Sequence, residues 1–230
     1  MSSVLGLIPA RGGSKGLPDK NLRELAGRPL LAYTVDAART SGVIDRLILS
    51  TDDERIAEAG RALGVEVPFL RPPELAADDT PMLPVVQHAI EQAERDDEPV
   101  GWVAILQPTS PLRRPQDVRA AVELARTGGC DSVVGIVEIP RHLSPDYVMC
   151  VEQGLLLPFL ESGGGLTRRQ DARRAYVRDG TIYLARRDIV MESRSLYGKV
   201  CLPLAIEAAH SLSIDTPEDW AEAERRLGVV

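Results

Sequence analysis

The feature that most restricts how this chain can fold is a repeated alternation of short apolar runs with amphipathic segments. Val4–Ile8 is an apolar run, and a helical pattern over Leu30–Arg39 follows, closed by Gly42. Arg46–Ser50 leads into Thr51-Asp52-Asp53-Glu54, whose side chains suit a helix N-cap, and a helix from about Glu54 to Leu63 stops at Gly64. Val65–Phe69 reads as a short strand, Pro84–Glu94 as a helix, and Trp102–Leu106 with Pro115–Arg126 as the next strand and helix. Asp131–Ile139, Thr181–Ala185 and Lys199–Ile206 are further strands. Thr216-Pro217-Glu218-Asp219 opens a last helix, with Thr as cap, Pro at the first helical position and acids in the first turn. Such a βαβα succession predicts an α/β fold of three layers, its sheet mostly parallel, with ligands bound beyond the carboxyl ends of the strands.

Between Pro140 and Tyr176 the alternation fails. This stretch holds prolines, Gly163-Gly164-Gly165 and basic residues from Arg168 onward, and it reads as an excursion, part loop and part hairpin. The core is therefore expected over 1–139 and 177–230, with 140–176 as the excursion.

Charge narrows the ligand. The net charge of -7 argues against nucleic acid or a membrane surface as partner, because a phosphate-backbone binder carries a basic stripe. The basic residues instead gather at 11–28, at Arg113 and Arg114, and through Arg168 to Arg178, which suits a small anion. Cys130, Cys150 and Cys201 are widely spaced without a C-x-x-C pair, the pattern of buried free thiols in a reducing compartment. With no leader and no long apolar span read in the sequence, a cytoplasmic location is expected.

The first strand runs into Pro9-Ala10-Arg11-Gly12-Gly13-Ser14-Lys15-Gly16-Leu17-Pro18-Asp19-Lys20-Asn21. Its glycines let backbone N–H groups wrap an anion, and Arg11, Lys15 and Lys20 add fixed charge, which is what a triphosphate needs. Neither G-x-x-x-x-G-K-[ST] nor G-x-G-x-x-G is present, and on these residues alone a solvated surface turn stays open. Gln107 to Arg113, at the end of another strand, is either a connection or a second functional loop. The polar, proline-bearing segment from Phe69 to Thr80 is either scaffold or a recognition element.

Taken together these segments resemble the cytidylyltransferases that activate acidic sugars, above all the CMP-sialic acid (acylneuraminate) synthetases. The resemblance is carried by Ile8 to Pro18 with Lys20-Asn21, Ser50 to Asp53 with Ile56-Ala57, Arg71-Pro72 with Glu74-Leu75-Ala76, and Leu106 to Arg113. It continues through Arg169-Gln170-Asp171, Gly180 to Tyr183, and Ile214-Asp215-Thr216 with Asp219. It implies a Rossmann-like nucleotidyltransferase fold and transfer of CMP from CTP to an acidic acceptor, with release of pyrophosphate and Mg²⁺ as cofactor. By the same resemblance Arg11, Gly12, Gly13, Ser14, Lys15 and Lys20 hold the triphosphate, and Asn21, Arg71 and Thr80 serve the base and ribose side. Gln107, Arg169, Gln170 and Tyr183 face the acceptor; Arg11, Lys15 and Asp215 are the catalytic set, and Asp215 is the metal ligand. The 140–176 excursion becomes a homodimerisation arm; Arg168, Arg169, Arg173 and Arg174 either bind an acceptor carboxylate, in trans where the arm reaches the other subunit's site, or form a solvated arm at the subunit contact.

Two positions depart from the family's pattern. Ser213 stands where a first aspartate is usual before Asp215, and Asp179 precedes Gly180 where asparagine is usual. Mg²⁺ needs only one or two carboxylates, so Asp215 with a triphosphate suffices for one ion. A nonulosonic acid is the favoured acceptor; Kdo or a phosphonate is the alternative, and a silent nucleotide-binding regulatory module the remaining one. His88, His142 and His210 lack metal-ligand spacing, and Asp52 and Asp53 read as helix caps.

Overall fold

A computed structural model describes residues 3–13, 16–96, 99–160, 168 and 172–228. In chain order the strands and α-helices are β1 (Val4–Pro9), β2 (Glu24–Leu25), β3 (Arg28–Pro29), α1 (Leu30–Ser41), β4 (Arg46–Ser50), α2 (Glu54–Ala62), α3 (Met82–Ala93) and β5 (Trp102–Ile105). Then come α4 (Pro115–Thr127), β6 (Ser132–Glu138), β7 (Met149–Glu152), β8 (Leu155–Pro158), β9 (Tyr176–Arg186), α5 (Arg187–Met191), β10 (Cys201–Ala205) and α6 (Pro217–Arg226).

Six strands form one sheet in the order β10-β6-β9-β5-β1-β4. The pairs β1–β4, β1–β5 and β10–β6 are parallel, while β9 runs antiparallel to both its neighbours. Alternation along β1 explains the layering. Leu5 and Leu7 pack on one face with Val86, Ile90 and Val190 of α3 and α5. On the other face Val4 meets Ala38 and Val118 of α1 and α4, and Ile8 meets Leu31 and Ile56 of α1 and α2. A smaller cluster joins Leu17 of the glycine-rich loop to Leu25, Ile214 and Trp220, so α6 braces that loop.

Helix ends follow the sequence signals. Gly42 closes α1 in the left-handed conformation at φ 68°. Asp53 caps α2 by accepting from the Arg55 amide at 2.8 Å, and the Arg55 side chain holds its carboxyl below the usual range. Thr216 and Asp219 form a reciprocal capping box at α6.

Three expectations are corrected. Val65–Phe69 is no strand: it makes one isolated bridge, from Glu66 to Ile48, and the next bridge, from Leu70 to Thr51, lies beyond it, because Pro68 cannot donate to a ladder. Of the cysteines only Cys130 is buried; Cys201 is exposed and Cys150 intermediate. The strand read at Thr181–Ala185 is longer, reaching back to Tyr176. The excursion holds the β7–β8 hairpin, turned by Gln153 and Gly154 at φ 53° and 81°. Among the described residues no helix is long and apolar enough to cross a membrane.

Candidate active site

A cleft of about 540 Å³ opens where β1 and β5 end, the location expected of a parallel sheet. Five segments wall it: Pro9, Arg11, Gly16, Lys20 and Asn21 at and after the end of β1, residues between Arg71 and Thr80 after the β4 edge, Met82 and Val85 of α3, Gln107 to Thr109 after β5, and Ser213 with Asp215 before α6. Backbone contacts lock these together. The Ile214 amide donates to the Thr109 carbonyl at 2.8 Å, and Gly16 lies so close to Asp215 that a Cβ there would stand 2.3 Å from its carbonyl oxygen. Gly16 is a glycine for that close approach, not for a left-handed turn.

Two cations of the cleft, Arg11 and Lys20, are held by carboxylates. Arg11 Nη1 donates to Asp78 Oδ1 at 2.5 Å, and Lys20 Nζ lies 3.0 Å from Asp215 Oδ1 and 2.7 Å from the Ile214 carbonyl. An incoming polyanion therefore meets charges already positioned, and competes with Asp78 and Asp215 for them. Asn21 Nδ2 donates to the Arg11 carbonyl at 3.1 Å, tying the far end of the loop to its start. Arg71 is buried beneath the cleft, its Nε on Ser50 Oγ at 2.9 Å; burial pushes its guanidinium down to about 10. Thr80 Oγ1 donates to the Glu74 carbonyl at 3.2 Å and shapes the same loop.

Arg11, Lys20, Asn21, Arg71, Thr80, Gln107 and Asp215 thus line one cleft. Gly12 and Gly13 line an adjoining depression with Asp52 and Asp53, and the Gly12 amide donates to Asp52 Oδ1 at 2.9 Å. Tyr183 sits in a second cavity of about 200 Å³ that shares Met82 and Gln107 with the cleft; burial raises its phenol. Ser14, Lys15, Arg169 and Gln170 lie outside the described residues.

Asp215 and Asp78 are the carboxylates that line the cleft, and Asp215 is the more exposed. Its side chain is 67% exposed, and its second oxygen accepts from Ser213 Oγ at 3.2 Å. Among the described residues no three His, Cys, Asp or Glu side chains gather as a metal site. This donor set fits Mg²⁺ that takes its other oxygens from water and phosphates.

The Cytidylyltransferase family profile matches residues 5–225. The chain belongs to the cytidylyltransferase family. It is a CTP-dependent nucleotidyltransferase. The CMP-N,N'-diacetyllegionaminic acid synthase of Legionella pneumophila is 36% identical to this cytidylyltransferase over 225 residues, covering 97% of this chain and 96% of that one. The N-acylneuraminate cytidylyltransferase of Streptococcus agalactiae is 32% identical over 216 residues, 93% of this chain and 51% of that one, so the cytidylyltransferase spans about half of that relative's length. Its fold is similar to the solved CMP:2-keto-3-deoxy-manno-octonic acid synthetase complexed with CTP, with a TM-score of 0.73 at 19% identity over 99% of both chains.

Several site residues escaped the sequence reading. Asp78 lies in the segment read as either scaffold or a recognition element but is not singled out within it, and Met82, Leu196 and Tyr197 carry no motif. Arg113 sits in the Gln107–Arg113 segment, but nothing in its spacing tells that its guanidinium is buried under Gln107.

Proposed function

We propose that this enzyme transfers CMP from CTP to a nonulosonic acid of the sialic type. The observation that carries the reading is a pair of adjacent cavities that share Met82 and Gln107: a cleft lined by Arg11 and Lys20, and a smaller amphipathic cavity. The name of the Legionella pneumophila relative supports the acceptor class. In the reaction the acceptor's hemiketal oxygen attacks the α-phosphorus and loses its proton; the bond from that phosphorus to the β-phosphate oxygen breaks, and pyrophosphate leaves. Arg11, Lys20 and Lys15 bind and neutralise the triphosphate, and Gln107 orients the acceptor between the two cavities. Mg²⁺ would be held by Asp215 and would offset charge on the phosphates.

Pyrophosphate release is expected with CTP, Mg²⁺ and N,N'-diacetyllegionaminic or N-acetylneuraminic acid, at least roughly tenfold faster than with UTP, GTP or ATP, and lost on adding EDTA. Turnover confined to Kdo or a phosphonate would replace the nonulosonic reading. Ser213 favours that second reading, since a phosphonate is already an oxyanion and needs no second carboxylate to deprotonate it.

The working unit is proposed to be a homodimer, located in the cytoplasm in keeping with three unpaired cysteines. On the β7–β8 hairpin and just beyond it Val151, Leu155, Leu156 and Phe159 are 64–72% exposed, an apolar surface that a second copy would cover. Light scattering should give twice the chain's 25.0 kDa. Leu156→Glu should yield a monomer; a variant that stays dimeric would move the interface elsewhere.

A further inference from the structure

The 200 Å³ cavity is too small for a whole nine-carbon sugar acid and is built differently from the nucleotide cleft. Met82, Ile105 and Leu196 give it an apolar wall, while Gln107, Tyr183, Tyr197 and Arg178 give it hydrogen-bonding groups. The acceptor's carboxylate sits on the carbon that bears the attacking hydroxyl, so it stays at the cleft beside the α-phosphate. What enters the second cavity is a substituent remote from that carbon.

Arg178 is the unusual member of this wall. Arg173 and Arg174, from the same basic cluster, are paired with Asp146 at 2.6 Å and Glu138 at 3.2 Å. Arg186 and Arg187 are paired with Asp188 and Glu94. Among the described residues no carboxylate lies within salt-bridge distance of Arg178. Its Nη1 donates to Tyr197 Oη, and its guanidinium carbon stands 5.5 Å from the Tyr197 ring centroid, so the head group is held on one side while most of its N–H donors have no partner among the described residues. The neighbouring Asp179 does not occupy it, since its oxygens accept from the Thr181 amide and Ser211 Oγ.

Strand geometry shows why Arg178 faces this cavity. Arg178 and Tyr183 are five residues apart and would face opposite sides of a regular strand. The register against β6 slips here: Tyr183 pairs with Val134 and Arg178 with Ile136, so five steps on β9 match two on β6. The irregularity turns both side chains to one cavity.

We propose that Arg178, steadied by Tyr197, donates to the carbonyl oxygen of an acylamino substituent on the acceptor and so selects neutral acyl groups over cationic amidino ones. This rests on the nonulosonic reading above. The acyl methyl packs on Met82, Ile105 and Leu196, the carbonyl meets the guanidinium, and an amidinium in the same place meets like charge without a counter-ion.

The test compares kcat/KM of the wild type and Arg178→Met for three acceptors: N,N'-diacetyllegionaminic acid, its acetamidino counterpart, and the deaminated nononic acid that has a hydroxyl in place of the acylamino group. The wild type should favour the diacetyl acid over both others by roughly 10- to 100-fold. Arg178→Met should bring both ratios within about threefold of unity, leave the KM for CTP within twofold, and Arg178→Lys should restore part of the preference. Unchanged ratios in Arg178→Met, with the wild type active on the diacetyl acid, would overturn this inference alone. A wild type inactive on every nonulosonic acid would overturn the proposed function with it.

Discussion

Gly16→Ala is expected to lower kcat/KM for CTP by roughly 100-fold, the cost of about 1 Å of misplacement between reacting groups. The argument is steric and local. An alanine Cβ would stand 2.3 Å from the Asp215 carbonyl oxygen, far inside contact distance. That carbonyl cannot retreat, because the Ile214 amide is tied to Thr109 at 2.8 Å and the Asp215 and Thr216 amides donate to Asp219 at 3.0 and 2.9 Å. The glycine-rich loop must give way, carrying Arg11 and Lys20 away from Asp215 and the Gln107 loop. Because Gly16 is exposed and its neighbours on the core side are few, the melting temperature should fall by only a few degrees. Steady-state pyrophosphate release and thermal unfolding on the same variant separate the two effects. A kcat/KM within threefold of the wild type would mean that the contact between loop and Asp215 positions nothing.

The alternation of Val4–Ile8, Arg46–Ser50 and Trp102–Leu106 with their helices was legible because a buried parallel sheet leaves a periodic trace in the sequence. The capping signals at Asp53 and Thr216 were equally plain, since they depend on residues two or three apart. Other features depend on distant partners and left no such trace. The direction of β9 follows from where a long excursion returns the chain, and nothing in Thr181–Ala185 encodes it. Val65–Phe69 has strand composition, but Pro68 breaks the ladder after one bridge. In the site, Arg11, Lys20, Asn21, Gln107 and Asp215 could be found from local chemistry and resemblance. Asp78 and Arg178 could not, as one is matched to its arginine only by the fold and the other reaches its cavity through a register slip.

Arg113→Met is expected to destabilise the protein by about 3 kcal/mol, because several buried acceptors lose their charge-assisted donor at once. Arg113 is 5% exposed and ties α1, the Gln107 loop and β9 together. Its Nη1 donates to Thr34 Oγ1 in α1 at 2.7 Å, its Nη2 to the carbonyls of Gln107 and Gly180 at 2.6 and 3.2 Å, and its Nε to the Thr181 carbonyl at 2.5 Å. Burial pushes the guanidinium down to about 9, with the Asp179 carboxylate pulling the other way. Methionine keeps most of the volume, so the loss measures the donors rather than a cavity: it leaves the Gln107, Gly180 and Thr181 carbonyls short of a partner. For a chain of this size that corresponds to a fall in melting temperature of roughly 10 °C. The same network sets the Gln107 carbonyl, and Gly180 packs where a Cβ would stand 2.8 Å from Gln107 Oε1, so the amide that separates the two cavities shifts with it. The KM for the acceptor should therefore rise more than the KM for CTP, whose proposed ligands Arg11 and Lys20 lie on the β1 side of the cleft. Arg113→Lys, which keeps the charge but reaches fewer of these acceptors, should fall between the two in both stability and acceptor KM. A melting temperature within two degrees of the wild type in Arg113→Met would show that the buried guanidinium holds neither the fold nor the Gln107 loop.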